Sequence, residues 1–72
     1  MYIVIVGDGK VGHSLAAQLV AEGHHVTIVE RSDQVLQRNQ DQLDARYVKG
    51  NGVSIEALQE ADIQRADIAI AV

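Results

Sequence analysis

Apolar positions along the chain fall into short runs joined by stretches of helical spacing, and this pattern predicts an alternation of strands and helices. Tyr2-Ile3-Val4-Ile5-Val6 is apolar and rich in β-branched residues with no polar alternation, as in a strand covered on both faces of a parallel sheet. From Lys10 to Glu22 the apolar residues Val11, Leu15, Ala16, Leu19 and Val20 share one helical face, and Gly23 stands where a helix-ending glycine belongs. His25 to Glu30 reads as a second strand. Ser32 is placed to cap a polar-rich helix running to about Gln40, with Asp33 in its first turn and Val35, Leu36 and Leu43 as its apolar residues. Arg46 to Lys49 is a short third strand, and Gly50-Asn51-Gly52 is a turn. Ser54 caps a third helix whose apolar face is Ile55, Leu58 and Ala61, and Asp67 to Val72 is a fourth strand.

The resulting order, β-α-β-α-β-α-β with short connections, predicts a parallel sheet with right-handed crossovers. The expected fold is α/β: a half or truncated Rossmann-like doubly wound sheet of strand order 3-2-1-4. Residues 1–72 then form the N-terminal part of a dinucleotide-binding domain. In a full sheet of order 3-2-1-4-5-6 the fourth strand is internal, whereas here it would be an open apolar edge. The expectation is therefore a fragment or minimal half-domain that self-associates as a homodimer through that edge.

Composition narrows the function. The 72 residues include no cysteine, which removes disulfides, thiolate chemistry and cysteine-ligated zinc. The formal net charge is −4 and the only aromatic residues are two tyrosines, which argues against a dedicated nucleic-acid surface. No apolar run approaches the roughly 18 residues of a membrane helix. No basic segment followed by a long apolar one opens the chain, so the expected location is cytoplasmic.

The stretch with chemical content is Gly7-Asp8-Gly9-Lys10-Val11-Gly12, which fits G-x-G-x-x-G between a strand and a helix. Gly7 permits the tight turn, Gly9 lets backbone approach a pyrophosphate, and Gly12 lets the helix pack on the strand. Free amides and the positive end of the helix dipole then face the phosphates. Glu30 supplies the acidic residue expected about 20 positions on, at the end of the second strand. It is read as accepting hydrogen bonds from the ribose hydroxyls and repelling a 2′-phosphate, which favours NAD or an adenosine nucleotide over NADP. Arg31 can lie over an adenine, neutralise a phosphate or face solvent. Lys10 either adds charge near the phosphates or points to water. Asp8, an anion in an anion-binding loop, is expected to point outward, away from a ligand. His13 is read as exposed, and His24-His25 as a surface turn. The scattered carboxylates and serines offer no acid–base pair or nucleophile, so an enzyme is not expected.

With these residues in place, the chain resembles the N-terminal nucleotide-binding domain of the TrkA type, also called RCK or KTN, found in cytosolic regulators of potassium channels and transporters. The resembling stretches are IVIVGDGKVGHSLAAQLVAEGHHVTIVERS, ARYVKGNGVSIEALQEADI and ADIAIAV, nearly the whole chain. The resemblance implies a sensor that binds NAD(H) or ATP/ADP, assembles as an oligomer and docks on a membrane potassium channel or transporter subunit. It implies that the amides of Lys10 and Val11, with Gly7, Gly9 and Gly12, hold the phosphates, and that Glu30 holds the adenosine ribose. Arg31 would then lie beside the adenine or a phosphate, Asn51 and Gly52 would flank the adenine, and the strand end at Ala71 would approach the loop. Three positions depart from the family pattern: Asn51 stands where aspartate is usual, Val53 where a small hydroxyl residue is frequent, and Asp62 where glycine is common. Two other readings fit the same loop: the cofactor-binding part of an NAD-dependent dehydrogenase, and a half-Rossmann structural unit without a strong ligand.

Overall fold

A computed structural model describes residues 1–51 and 54–72. Gly52, part of the expected adenine contact, and Val53 lie outside the described residues. Four strands, β1 (Tyr2–Val6), β2 (His25–Glu30), β3 (Arg46–Lys49) and β4 (Ile68–Ala71), form one sheet in the order β3-β2-β1-β4. Every pairing is parallel, with Tyr2 opposite His25, Ile3 opposite Ile68 and Thr27 opposite Arg46. The helices are α1 (Lys10–Ala21), α2 (Asp33–Asn39) and α3 (Ile55–Glu60), followed by a 3₁₀ turn over Ile63–Arg65. This is the half Rossmann-like α/β fold that the alternation predicts.

The central strands are largely apolar because the sheet is covered on both faces. Ile3, Ile5, Val26 and Ile28 pack with Ala16 of α1 on one side, joined by half-buried Leu15, Leu19 and Val20. Val4, Val29 and Val48 pack with Ala57 and Ala61 on the other. Alternate residues of a strand point to opposite faces, so β1 and β2 feed both cores. Small residues at the helix contacts bring backbone close to the sheet. A Cβ on Gly50 would stand 2.4 Å from the Ala57 Cβ, so this glycine is required by the approach of α3 as well as by the turn.

Ser32 and Ser54 cap α2 and α3 as expected, each accepting a hydrogen bond on its hydroxyl, from Val35 N–H at 3.3 Å and Ala57 N–H at 3.4 Å. Two apolar faces differ from the pattern. Val11 and Ile55 are both 70% exposed, because each sits in the first turn of its helix, where the axis has not yet come over the sheet. It is Ala57 of α3 and Ala61 at its end, not Ile55, that reach the core.

At the amino ends of the strands, side chains close the sheet. The Tyr2 hydroxyl donates to the Ala61 carbonyl and lies 2.8 Å from the Thr27 hydroxyl, while Tyr2 N–H donates to Asp67 Oδ2 at 2.8 Å. Asp62, just after α3, has φ 56° and ψ 46°, the left-handed region, with its carboxylate 3.5 Å from Arg46. A side chain is strained there, and Asp bears the strain better than most residues. Asp62→Gly is expected to hold or raise the urea midpoint, whereas Asp62→Val loses about 1–2 kcal/mol. Equal midpoints for the two variants would show that this backbone stores no strain.

Candidate functional site

The glycine loop lies at the carboxyl ends of the strands, where open α/β sheets bind ligands. Gly7 leaves β1 with φ 109°, and its N–H is taken by the Val29 carbonyl at 2.8 Å. A Cβ there would stand 2.9 Å from the Val72 carbonyl oxygen, so positive φ and close approach both demand glycine. At Gly12 a Cβ would stand 2.3 Å from the Gly7 carbonyl oxygen and 2.9 Å from a Val72 methyl. Gly9 is different: its φ is −71°, and nothing lies within 4 Å of the Cβ position. The first and third glycines are enforced by the protein itself, whereas the second opens onto free space.

That space lies at the start of α1. Gly9 provides no side-chain cap and the first turn carries no acidic residue, in contrast to the serine-capped starts of α2 and α3. The first intrahelical bond there runs from His13 N–H to the Gly9 carbonyl at 2.8 Å, so the amides of Lys10, Val11 and Gly12 precede the helical ladder. With the helix dipole behind them, they are suited to an anion. Lys10 and Val11 are both exposed at this mouth.

Glu30 is buried, and both of its carboxylate oxygens are already engaged. Oε1 accepts from Asp8 N–H at 2.7 Å and Oε2 from Ser32 N–H at 2.8 Å. The carboxylate thus clamps the loop to the start of α2. Each oxygen retains a second lone pair, the capacity a ribose hydroxyl would use. Arg31, next along the chain, is exposed. Asn51 is exposed just beyond β3, and Ala71 pairs with Val6 at the end of β4. The chain beyond Ala71 comes closest to the loop, since it is Val72 that abuts Gly7 and Gly12.

Two side chains depart from expectation. Asp8 does not point outward; it is 1% exposed. Its carboxylate receives Asn39 Nδ2 at 3.1 Å and lies 3.3 Å from His13 Nδ1, and Asn39 Nδ2 also reaches the Asp8 carbonyl at 3.3 Å. A buried carboxylate persists only with such partners. His13, turned toward Asp8, is accordingly half-buried rather than exposed. Asn39, at the end of α2, gave no sequence signal, because its partner is 31 residues away. The Tyr47 hydroxyl donates to the Asn39 carbonyl at 3.1 Å and completes the network. Burial, and then the nearby Asp8 carboxylate, push the Tyr47 phenol up from 10.0 to about 12. A cavity of about 780 Å³ opens instead at the amino ends of the strands, near Tyr2, His25 and Arg46. The carboxyl-end site is a surface shelf built from backbone amides, which needs no deep cavity to hold a phosphate.

The fold and site define a nucleotide-loop domain of Rossmann type, and comparison with known proteins assigns the family. The TrkA-N domain model matches residues 3–72, and the chain belongs to the TrkA-N domain family. It is 42% identical over 71 residues to a Trk system potassium uptake protein TrkA homolog of Methanothermobacter thermautotrophicus, covering 99% of this chain and 33% of that protein. It is 42% identical over 72 residues to the Trk system potassium uptake protein TrkA of Vibrio alginolyticus and 43% to that of Azorhizobium caulinodans, each match covering 100% of this chain and 16% of the relative. The chain thus spans a third or less of these relatives.

Gly12→Ala is expected to cost about 1–3 kcal/mol in urea unfolding, because the added methyl meets fixed backbone. An unchanged midpoint would mean that α1 can shift from β1 freely. The Tyr47 phenol favours its neutral form more in the folded chain than in the unfolded one. Its contribution to stability is therefore complete below pH 10.0 and lost as pH rises toward about 12. Tyr47→Phe should remove that part of the alkaline loss in thermal melts at pH 9 to 12. Parallel decline in both proteins would refute the assignment.

Proposed function

We propose that the chain is a nucleotide-binding regulatory module of a potassium transport system, taking NAD(H) or ATP/ADP on its glycine loop. The observation that carries this reading is the uncapped start of α1 facing open space at Gly9, beside a carboxylate fixed at the end of β2. The names of the relatives, potassium uptake proteins of Trk systems, support the transport role. In this reading Gly7, Gly9 and Gly12 with the amides of Lys10 and Val11 hold the phosphates, and Glu30 accepts from a ribose. Arg31 lies beside the base or a phosphate, Asn51 flanks the base, and the end of β4 at Ala71 borders the loop. The working protein acts in the cytoplasm, at the inner face of the membrane that holds its channel or transporter partner. None of the described helices is long and apolar enough to cross a membrane. The working protein assembles as a homo-oligomer.

Gly9 provides a clean test. Its backbone suits any residue and a methyl there meets no protein atom, so Gly9→Ala should leave the urea midpoint unchanged or slightly raised. If phosphate occupies that space, the same methyl should weaken NADH, NAD⁺ or ATP binding about tenfold or more in isothermal titration, roughly 1.4 kcal/mol. Equal affinity in both proteins would overturn the phosphate-loop reading. Preference for NADP⁺ over NAD⁺ would overturn the role given to Glu30.

A further inference from the structure

Asp8 is an anion built into an anion-binding loop, and its surroundings suggest what it does there. The carboxylate is fully buried, immediately before Gly9 and Lys10, held by Asn39 and next to His13. Its own N–H is spent on Glu30, itself a second buried carboxylate. Each element around Asp8 contributes a titratable or polar group: Lys10 and His13 from α1, Glu30 from β2, Asn39 from α2 and Tyr47 from β3. Lys10 and Arg31 are exposed, so water screens their charge, whereas the two carboxylates are screened far less.

Fixed hydrogen bonds to Asn39 explain how Asp8 orders the loop, but an amide would make them equally well. What the carboxylate adds is negative charge beside the phosphate shelf. Its repulsion grows with the charge of the bound ligand. We propose that Asp8 is a specificity-determining residue that biases the loop toward dinucleotides and against nucleoside triphosphates. NADH carries about two phosphate charges and ATP about four at neutral pH. This inference rests on the nucleotide-binding reading above and identifies the ligand class that the reading leaves open between NAD(H) and ATP/ADP.

Asp8→Asn isolates the charge. The asparagine keeps an oxygen for Asn39 Nδ2 and offers its amide to His13 Nδ1, so the hydrogen bonds persist. The experiment is magnesium-free titration of the wild-type chain and Asp8→Asn with NADH, ADP and ATP, each protein first checked for folding by circular dichroism and urea unfolding. Wild type should bind NADH more tightly than ATP. The substitution should tighten NADH about threefold and ATP about tenfold, because the repulsive energy scales with ligand charge. ADP should fall between them. Equal shifts for the three ligands, or weaker ATP binding in a folded variant, would refute the proposal while leaving nucleotide binding intact. If the variant does not fold, the wild-type series decides, and ATP bound more tightly than NADH counts against the bias. Failure of every nucleotide to bind either protein, with Gly9→Ala also without effect, would remove the nucleotide reading and this inference together.

Discussion

The carboxyl end of the sheet depends on how closely α1 approaches the strand that feeds it. A Cβ on Gly12 would come within 2.3 Å of the Gly7 carbonyl oxygen, so no side chain fits between helix and turn. That approach sets the loop's path, seats Val72 against both glycines, and leaves the first turn of α1 at the sheet's edge with its amides uncapped. The exposure of Val11 follows from the same geometry. A helix starting this close to the strand end has its first turn beyond the core, and only Leu15, Ala16, Leu19 and Val20 come over the sheet.

Holding a glycine-rich loop in one shape costs conformational entropy, and here polar contacts from the end of β2 and from α2 offset it. Glu30 reaches Asp8 N–H and Ser32 N–H, linking the loop to the start of α2. Asn39 reaches the Asp8 carboxylate and carbonyl, linking the loop to the end of the same helix. The loop is therefore fastened to both ends of a seven-residue helix that also packs on β2 and β3. A carboxylate with its hydrogen bonds satisfied is tolerated in such a place.

The fold was legible because its signals are local. Uninterrupted β-branched runs marked β1 and β2, serine caps marked α2 and α3, and the alternation of elements implied the 3-2-1-4 order. The glycine roles were legible at Gly7 and Gly12 for the same reason. Asp8, His13, Asn39 and Tyr47 were not, since their contacts span 5, 31 and 8 residues and leave no periodic trace. Gly50 was read as a turn residue, but its distance from Ala57 shows that it also answers to packing by a helix that begins later in the chain. Glu30 was placed correctly at the end of β2. Its engagement by two backbone amides became visible only once the loop and the start of α2 were brought together.

The two ends of the sheet are finished by different chemistry. At the amino ends, side chains satisfy backbone: Asp67 accepts from the Tyr2 N–H and the Tyr2 hydroxyl donates to the Ala61 carbonyl, while the Asp62 carboxylate faces the Arg46 side chain. Those contacts fasten strands, helix and turn to one another at that end. At the carboxyl ends the first turn of α1 receives no such cap, although side chains capable of capping stand close by. Asp8 and Glu30 are turned instead toward Asn39, His13 and Ser32. Both carboxylates are thus spent on the loop and on α2, and neither caps α1. The capped starts of α2 and α3 show that the same chain caps a helix elsewhere.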